Sequence, residues 1–348
     1  MTQHDVIIVG SGPGGAGCAR ALRDQGIDVL VLEKEGLPRY KCCSAVLFGQ
    51  TQVLLQKYFG KDAPDEVYCS KDKFINAEDV REWDAVNGYK RYLWEIDKDG
   101  TSFPTVYQNV WRNLFDKWLL DQSGAPYLDN TRVSGFSQQD GRIVVQTDSG
   151  TQYGCRYLVG ADGGASVVRR MLKPATGDSG GASVSILQTY FTLHSLGTLK
   201  KNAWTVFFNP EIGEMLSCVH QKDDWLLLCV GGFRGRNLRE SIQKLKALLA
   251  EKFDVQLGER WRDEGCQMAL APPYLGQGSV LLTGEAAGFV YLNGEGISAA
   301  IDSGYRCGQA VAEALQNGKD AIELYQEGSK DIVAHLEKCL SQIHFLAV

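Results

Sequence analysis

The chain has 348 residues, of which 44% are apolar and 22% are charged, so it is long enough to bury one large core or two ordinary ones. Its 36 Lys and Arg residues against 42 Asp and Glu residues give a net charge of −6 without any basic block, which argues against nucleic acid as a partner. No apolar run approaches the ~18 residues of a membrane span, and the opening MTQHDVIIVG lacks the basic region and cleavage site of a signal peptide, so we expect a cytoplasmic protein without a membrane span.

The cysteines do not form a metal-binding pattern. Ten cysteines and five histidines are scattered along the chain, with no CxxC pair and no histidines at ligand spacing, so no metal site is expected. Cys42 and Cys43 are neighbours in PRYKCCS (38–44), and a trans peptide holds their Cα atoms ~3.8 Å apart, closer than an unstrained disulfide allows. A vicinal disulfide is the less favoured interpretation, and a cofactor contact, a nucleophile or simple packing stay open.

The first segment has the order of a dinucleotide-binding unit. Residues 5–10 (DVIIVG) form a short β-branched apolar run, typical of a buried parallel strand, and the glycine turn GSGPGG follows at once. Residues 16–26 continue with helical periodicity and end at a glycine. A second apolar run, residues 27–35, carries Glu33 about 23 residues after Gly10. The predicted order is strand, turn, helix, strand and acid.

Each part of this pattern meets a requirement of a bound dinucleotide. Gly10 permits the tight turn, Gly12 lets backbone N–H groups approach a pyrophosphate, and Gly15 lets the helix pack close to the strand. The helix N-terminus adds partial positive charge. Glu33 can accept both ribose hydroxyls of an adenosine, and Lys34 beside it is a further candidate contact. The turn alone suits NAD and FAD equally.

Two later segments repeat the form of a strand that runs into a turn. Residues 157–163 are YLVGADG and include Asp162, and residues 281–288 are LLTGEAAG and include Glu285. With the first turn and the helix that follows GEAAG, these motifs span residues 5–316. Together they resemble the flavoprotein superfamily that contains the para-hydroxybenzoate hydroxylases, the geranylgeranyl reductases and the flavin-dependent halogenases.

This resemblance implies FAD as the cofactor. In the superfamily the GADG segment, here with Asp162, supports the cofactor, and the GDAAG segment holds the ribityl and pyrophosphate region. Glu285 replaces the usual aspartate of that second segment, and residues 289–293 (FVYLN) lack its usual proline, so we expect an altered loop beside the flavin ring. The helix that begins in GEGI is expected to present the amides of Gly294, Gly296 and Ile297 to the negative charge of the reduced ring.

The resemblance implies further cofactor contacts in three places. Arg112, in WRNLFDKWLL, is expected near the dinucleotide, and the backbone of Val133, in TRVSGF, near the adenine. PRYKCCS matches PRxKxCG of geranylgeranyl reductase-like sequences, which puts Arg39 near the cofactor and Cys43 near the ring, with Cys42 as an extra residue. Cys43 is therefore a candidate catalytic thiol that tunes the flavin, donates a proton or fills space, and Lys41 and Arg39 would favour its thiolate.

The predicted fold is an α/β protein: a Rossmann-like FAD-binding domain with an inserted antiparallel-sheet substrate domain. The FAD-binding domain is assigned to residues 1–59, 105–171 and 271–348, and the substrate domain to residues 60–104 and 172–270. The inserted parts carry most of the tryptophans and several runs with the alternation of antiparallel strands.

In the superfamily a sheet of this kind roofs the flavin and lines the substrate pocket. Trp204, Phe207 and Phe208 are therefore the candidate pocket residues, and His220 is a second candidate catalytic residue. No second GxGxxG follows in this region, so NAD(P)H is expected to bind transiently, or an external reductase to deliver electrons.

The function predicted from these observations is an FAD-dependent oxidoreductase. The halogenase signature WxWxIP is absent, and FFNPEIGEMLSCVH (207–220) stands where prenyl reductases have PxYxWxFP. We favour a monooxygenase for a bulky aromatic molecule or a protein side chain. The run from FNPEI (208–212) through His220 to KDDWLLL (222–228), together with GEAAG (284–288), shows a looser resemblance to small flavoproteins that help build tryptophylquinone cofactors in partner oxidases. This resemblance suggests a tryptophan of a partner protein as the substrate. The alternatives are a geranylgeranyl reductase-like double-bond reductase, supported by PRYKCCS, and a non-catalytic flavin-binding scaffold.

Overall fold

The computed structural model of the chain describes residues 1–71, 73–76, 81–84, 88–91, 106–139, 141–172, 182–214, 217–233, 235–270, 272–291 and 295–343. Within these ranges, no helix has both the length and the apolar character needed to cross a membrane.

The described residues form three sheets and the helices that cover them. The strands are β1 (Thr2–Val9), β2 (Val29–Leu32), β3 (Val46–Leu47), β4 (Phe74–Asn76), β5 (Arg81–Asp84), β6 (Gly88–Arg91), β7 (Val106–Asn109), β8 (Tyr127–Leu128), β9 (Val133–Gln139), β10 (Arg142–Thr147), β11 (Gln152–Gly160), β12 (Ala182–Ser195), β13 (Thr205–Phe208), β14 (Ser217–Lys222), β15 (Trp225–Phe233), β16 (Gln256–Leu270), β17 (Gly276–Gln277) and β18 (Val280–Leu282). The α-helices are α1 (Pro13–Asp24), α2 (Gly49–Phe59), α3 (Arg112–Ser123), α4 (Val167–Leu172), α5 (Leu238–Phe253), α6 (Ile297–Asn317), α7 (Ala321–Gly328) and α8 (Lys330–Ile343).

The first sheet is parallel at its centre. Its order is β17–β18–β11–β1–β2–β8, and the neighbours from β18 to β8 pair in parallel. Strands β9 and β10 extend it as an antiparallel ribbon that pairs with β11. Val6, Ile7 and Ile8 of β1 are fully buried, as a strand covered on both faces requires. The parallel core predicted from the sequence is confirmed.

Helices α1 and α6 cover this sheet and touch each other through glycines. A Cβ added to Gly304 would lie 2.2 Å from the carbonyl oxygen of Gly14, and one added to Gly17 would lie 2.6 Å from that of Ile301. Such distances leave no room for a side chain, so the two helix backbones are in direct contact. The first turns of α1 are thereby packed against the first half of α6.

The second sheet, which we call the roof sheet, has the order β16–β12–β15–β14–β13–β5–β6 and is antiparallel except for the pair β13 and β5. Because side chains alternate along a strand, it has two distinct faces. The outer face packs against α5 through Phe207, Val219, Leu226, Leu228, Ile242, Leu245 and Leu249. The inner face, with Trp204, Val206, Cys218 and Cys229, packs against Val46, Ile75 and Tyr107. This antiparallel sheet beside a parallel core confirms the predicted fold class.

The third sheet is small and lies between the other two. It has three antiparallel strands in the order β3–β7–β4. Strand β3 follows the PRYKCCS segment, and β7 runs directly into α3. Because Val46 of β3 and Tyr107 of β7 contact the inner face of the roof sheet, this sheet connects the roof to the cofactor-binding part.

Candidate cofactor and active site

A cavity of about 1040 Å³ lies between the parallel sheet and the roof sheet. On one side it is bounded by the residues that follow β1, β2, β11 and β18, and on the other by β12, β16 and Trp204, the residue before β13. In α/β proteins, ligands bind at the carboxyl ends of the parallel strands, where these walls meet. The volume is slightly above the ~300–1,000 Å³ typical of small-molecule sites, which suits an extended ligand.

The glycine turn forms the floor of this cavity. Gly10 has φ of 104°, and a Cβ there would lie 2.4 Å from the carbonyl oxygen of Ala161. A Cβ on Gly15 would lie 2.0 Å from the carbonyl oxygen of Gly10, so the helix packs tightly on the turn. A Cβ on Gly12 would meet only the Arg39 guanidinium, at 3.4 Å. Gly12 therefore leaves open the space through which an anionic ligand approaches the N-terminus of α1.

Glu33 lies at the end of β2 with its carboxylate buried. Its Oε2 accepts hydrogen bonds from the Ser11 amide at 3.0 Å and the Ser11 hydroxyl at 2.6 Å, and lies 3.2 Å from Arg39 Nε. Its Oε1 accepts from the Glu35 amide at 3.1 Å. Burial alone would raise the pKa of Glu33, but Arg39 and these hydrogen bonds outweigh it and hold the pKa below its ordinary value. Glu33 is therefore an ionised acceptor.

Arg39 and Arg112 share one buried carboxylate. Asp116 Oδ2 lies 3.3 Å from Arg39 Nη1, and Asp116 Oδ1 lies 2.6 Å from Arg112 Nε. Burial would lower the pKa of Arg112, but Asp116 and the Cys43 thiol raise it above its ordinary value, so the guanidinium stays charged. Sequence reasoning missed Asp116, although its position four residues after Arg112 on a helix is a usable signal. It also missed Ser11, which lies inside the glycine turn.

The remaining predicted contacts of the dinucleotide also line the cavity. Lys34 follows Glu33 at the wall, and Val133 lies at the start of β9 beside Thr131 and Arg132. The Thr131 amide donates to the Glu33 carbonyl at 2.7 Å, so β9 begins next to the acid. The end of β2 and the start of β9 therefore lie together at one end of the cavity.

Asp162 and Glu285 lie further along the cavity wall. Asp162 Oδ2 accepts from the Val167 amide at 2.7 Å and caps α4, whereas Oδ1 is buried without a hydrogen-bond partner among the described residues. Burial raises the pKa of Asp162 above its ordinary value. Glu285 Oε2 lies 3.3 Å from Lys41 Nζ, and a Cβ on Gly164 would lie 2.7 Å from Glu285 Oε1. The longer side chain of Glu285 thus reaches Lys41 across the Gly164 turn.

The start of α6 lies at the cavity wall. Gly296 and Ile297 line the cavity, while Gly294 lies outside the described residues. Glu295 Oε1 accepts from the Ser298 amide at 2.9 Å, and Oε2 accepts from the Ser298 hydroxyl at 2.5 Å. One amide of the first turn is therefore occupied by the chain's own carboxylate. Glu295 caps the helix at the edge of the site.

Both cysteines of PRYKCCS line the cavity. Cys43 Sγ accepts from the Ala45 amide at 3.3 Å, and Ala45 has φ of 53°, which turns the chain into β3. The Cys43 thiol also contacts the Arg112 guanidinium. Cys42, the extra residue of the PRxKxCG match, lies at the wall too and donates to the Glu264 carbonyl at 3.6 Å.

The four candidate site residues predicted in the roof sheet do not all lie at the cavity. Trp204 lines the cavity and meets Phe48 edge to face, with ring centroids 5.5 Å apart. Phe207 does not: it is fully buried on the outer face, 5.9 Å from the ring of Phe253, because it is three residues after Trp204 on an alternating strand. The side chain of Phe208 lies outside the described part of the structure.

His220 also lies away from the cavity. It is buried behind the wall, with Nε2 3.2 Å from the Ser44 carbonyl oxygen. Burial, together with nearby Lys222, holds the pKa of His220 well below its ordinary value, so the ring is neutral. Its Nε2 donates to Ser44 and thereby supports the PRYKCCS segment. His220, predicted as a candidate catalytic residue, is therefore not among the residues that line the cavity.

Several residues from the roof line the cavity without having been predicted. They are Ser183, Ile186, Cys266, Gln267 and Met268, from β12 and β16. The alternation of both strands was visible in the sequence, but the register that brings them over the cavity was not. These residues add an apolar wall and a third thiol to the site.

Comparison with known proteins agrees with this geometry. An uncharacterised protein of Methanosarcina barkeri is 27% identical over 348 residues, covering 97% of this chain and 82% of the relative. Protein CbrA of Escherichia coli is 28% identical over 323 residues, covering 87% and 80%. A geranylgeranyl bacteriochlorophyll reductase-like protein of Thermoplasma acidophilum superposes with a TM-score of 0.79 at 17% identity, covering 100% of this chain and 88% of the other. Aklavinone-11 hydroxylase, solved with FAD and aklavinone, gives 0.68 at 20% identity, covering 94% and 65%.

The two solved structures show the fold alone, since their sequence identity is low. The match to a family described as an FAD binding domain extends over residues 3–339, nearly the whole chain. An open glycine floor, an ionised acid at the end of β2 and an orphaned Asp162 oxygen fit such a cofactor. The chain therefore belongs to the FAD binding domain family.

Proposed function

We propose that this chain, an FAD-dependent oxidoreductase by family, is a monooxygenase that hydroxylates a bulky aromatic substrate. The observation that carries the proposal is the aromatic wall of the cavity formed by Phe48 and Trp204. Ile186 and Met268 extend the same wall. Such a surface favours a flat ring, because aromatic edges and a polarisable sulfur both pack well against aromatic groups.

The other end of the cavity fits FAD. Gly12 and the first turn of α1 would hold the pyrophosphate, Glu33 would accept the adenosine ribose hydroxyls, and Asp162 Oδ1 would accept a further hydroxyl. When bound, FAD supplies two-electron redox chemistry, including reaction with O2. For the source of electrons we propose NAD(P)H, binding transiently, or an external reductase.

The chain's own residues orient the substrate and control charge. Phe48 and Trp204 fix the plane of an aromatic ring and exclude water from it. Arg112, kept charged by Asp116, provides a positive charge at the Cys43 thiol. Lys41 Nζ forms an ion pair with Glu285 Oε2 at 3.3 Å, which holds both charged side chains at the wall of the site.

The test uses the purified protein loaded with FAD. The flavin is reduced by NADPH without air, a panel of aromatic compounds is added, and oxygen-18 gas is admitted. Monooxygenation gives a product that is heavier by one oxygen-18 atom. Trp204→Leu should raise KM roughly tenfold, the equivalent of about 1.4 kcal/mol of lost ring packing. Phe207→Leu, on the same strand but the opposite face, is the matched control and should leave KM unchanged. Peroxide release without any labelled product would contradict the proposal.

A double-bond reductase is the second candidate, favoured by the match of PRYKCCS to reductase-like sequences and by Cys43 at the cavity wall. The same experiment separates the two. If NADPH bleaches the flavin and the bleached state persists in air, a reductase is favoured. A flavin that neither NADPH nor a reductase can bleach would favour a non-catalytic scaffold.

In a narrower form of the proposal, the substrate is a side chain of a partner protein. Tyr40, at the cavity wall, is 52% exposed, and its ring stacks with Arg262, whose neighbour Trp261 is 44% exposed. An exposed aromatic rim suits contact with a macromolecule. A tryptophan within a folded partner would then be the substrate, as in tryptophylquinone formation. Labelling of tryptophan-containing protein but not of free indoles by oxygen-18 would support this form.

A further inference from the structure

Two thiols from distant parts of the chain meet at the wall of the cavity. Cys42 belongs to the PRYKCCS segment, and Cys266 belongs to β16, the edge strand of the roof sheet. Both line the cavity, and both are partly accessible. The Cys42 thiol donates to the carbonyl of Glu264 at 3.6 Å, two residues before Cys266, so the two side chains come together at the same part of β16.

The two thiols are not equivalent. The neighbouring Cys42 thiol, with help from Lys41 and Arg112, lowers the pKa of Cys266 below its ordinary value and outweighs burial and Glu285, which act in the opposite direction. The Cys266 thiol and burial raise the pKa of Cys42. Cys266 is thus the more readily ionised thiol, and Cys42 stays protonated beside it. This asymmetry, with one thiolate and one neighbouring thiol, is the arrangement that disulfide exchange requires.

We propose that Cys42 and Cys266 form a redox-active thiol pair that reacts with small-molecule disulfides and closes to a disulfide across the cofactor cavity. In the first step the Cys266 thiolate attacks one sulfur of RSSR, its S–S bond breaks, and RS⁻ leaves. In the second step Cys42 loses its proton and attacks the Cys266 sulfur of the mixed disulfide, and a second RS⁻ leaves. Two protein thiols are oxidised, and one RSSR is reduced to two RSH.

The position of the pair gives the disulfide a structural effect. Cys266 lies on the roof sheet, whereas Cys42 lies in the segment that also carries Arg39 and Lys41. The bond therefore joins the roof to the cofactor-binding side at the cavity wall. The ratio of disulfides to thiols in the surroundings would then set how often the Cys42–Cys266 disulfide forms. That bond, in turn, would change the geometry of the site.

The experiment uses the FAD-loaded full chain and glutathione disulfide as the probe. After incubation the protein is denatured, its thiols are alkylated, and its peptides are analysed by mass spectrometry. Two of the ten cysteines should escape alkylation, and one peptide should link Cys42 to Cys266. A thiol reductant should restore both. Full alkylation, or a link that joins other cysteines, would overturn the proposal.

Variants resolve the order of the two steps. In Cys42→Ser the reaction should stop at the mixed disulfide, with glutathione trapped on Cys266. In Cys266→Ser, Cys42 should stay unmodified over the same time. Cys218→Ser is the matched control, because Cys218 and Cys229 are opposite each other on β14 and β15 but are buried, and this variant should still form the link. Modification of Cys42 in the Cys266→Ser variant at the wild-type rate would refute the assignment of roles.

Discussion

Glu33, Arg39, Asp116 and Arg112 form one chain of alternating charges beside the cofactor end of the cavity. Each is almost fully buried, and each contact is also a hydrogen bond or a close ion pair. Buried ion pairs contribute little net stability, because desolvation offsets their attraction. Here the ion pairs hold the four side chains in fixed positions. If a ribose hydroxyl replaces Ser11 as the donor to Glu33, Arg39 is still held by Asp116. The Glu33 carboxylate therefore does not have to move when the cofactor binds.

The floor of the cavity gives the first prediction at the residue scale. Gly12→Val would place a branched side chain in the space that now meets only the Arg39 guanidinium at 3.4 Å. We expect the purified variant to be colourless, with FAD affinity reduced at least about a hundredfold, or ~2.7 kcal/mol. Flavin absorbance per protein and titration with FAD measure this. The melting temperature without FAD should stay that of the wild type, and a yellow variant of normal FAD content would contradict the assignment of the turn.

Local spacing explains which site residues could be predicted. Gly10, Gly12 and Glu33 belong to one short unit of strand, turn, helix and strand, whose geometry follows from the covalent chain. The pairing of Cys42 with Cys266 depends on the register of β16 against β12, which no nearby residue reveals. Long-range register is set by the whole packed core, so single-sequence patterns do not determine it.

At the scale of elements, strand alternation decides which face of the roof meets the cavity. Trp204 faces inward and Phe207 faces α5, as their odd separation on one strand requires. The alternation predicted an antiparallel sheet but did not say which of its faces was covered by a helix. Helix α5, with its buried Ile242, Leu245 and Leu249, decides this, because its apolar side must cover one face.

The contact between α1 and α6 gives a prediction at the same scale. In Gly304→Ala the new Cβ would lie 2.2 Å from the Gly14 carbonyl oxygen, a backbone atom that cannot turn aside. The helices must separate, and we expect a loss of about 1–3 kcal/mol in the free energy of unfolding, measured in urea. Because Gly14 lies in the first turn of α1, FAD affinity should fall as well. Gly328→Ala, where nothing lies within 4 Å, is the matched control. Equal stability of the two variants would show that the helices do not meet as described.

At the scale of the whole molecule, the cavity exists because the roof sheet is docked on the cofactor-binding part. Lys222 of β14 crosses this boundary and is fully buried. Its Nζ donates to Asn109 Oδ1 at 2.9 Å and to the Val110 carbonyl at 2.6 Å, at the junction of β7 and α3. It also lies 5.3 Å from the centre of the Trp111 ring. One cation thus satisfies acceptors on the opposite side of the boundary.

Replacing this cation tests the docking of the two parts. Lys222→Met keeps most of the volume but leaves the two acceptors buried without their donor, and each costs about 1–3 kcal/mol of the free energy of unfolding. Lys244→Met, at an exposed site on α5, is the matched control and should change stability by less than about 0.5 kcal/mol. Urea unfolding at neutral pH measures both.

The last prediction concerns how the free energy of unfolding of the wild type and of Lys222→Met depends on pH. Burial lowers the pKa of Lys222 below its ordinary value of 10.5, an effect that Cys69, Cys43 and Glu264 only partly offset. Between the folded and the unfolded pKa the unfolded chain therefore binds more protons at this site, so stability rises with pH in that window. The advantage of the wild type over Lys222→Met should grow as pH approaches 10.5 and level off above it. Lys222 also lowers the pKa values of His220 and Glu264, but both groups have finished titrating at alkaline pH, so there the difference between the two urea curves reports on Lys222. An advantage that shrinks with rising pH would mean that the lysine is stabilised in its charged form and that burial is not the dominant effect.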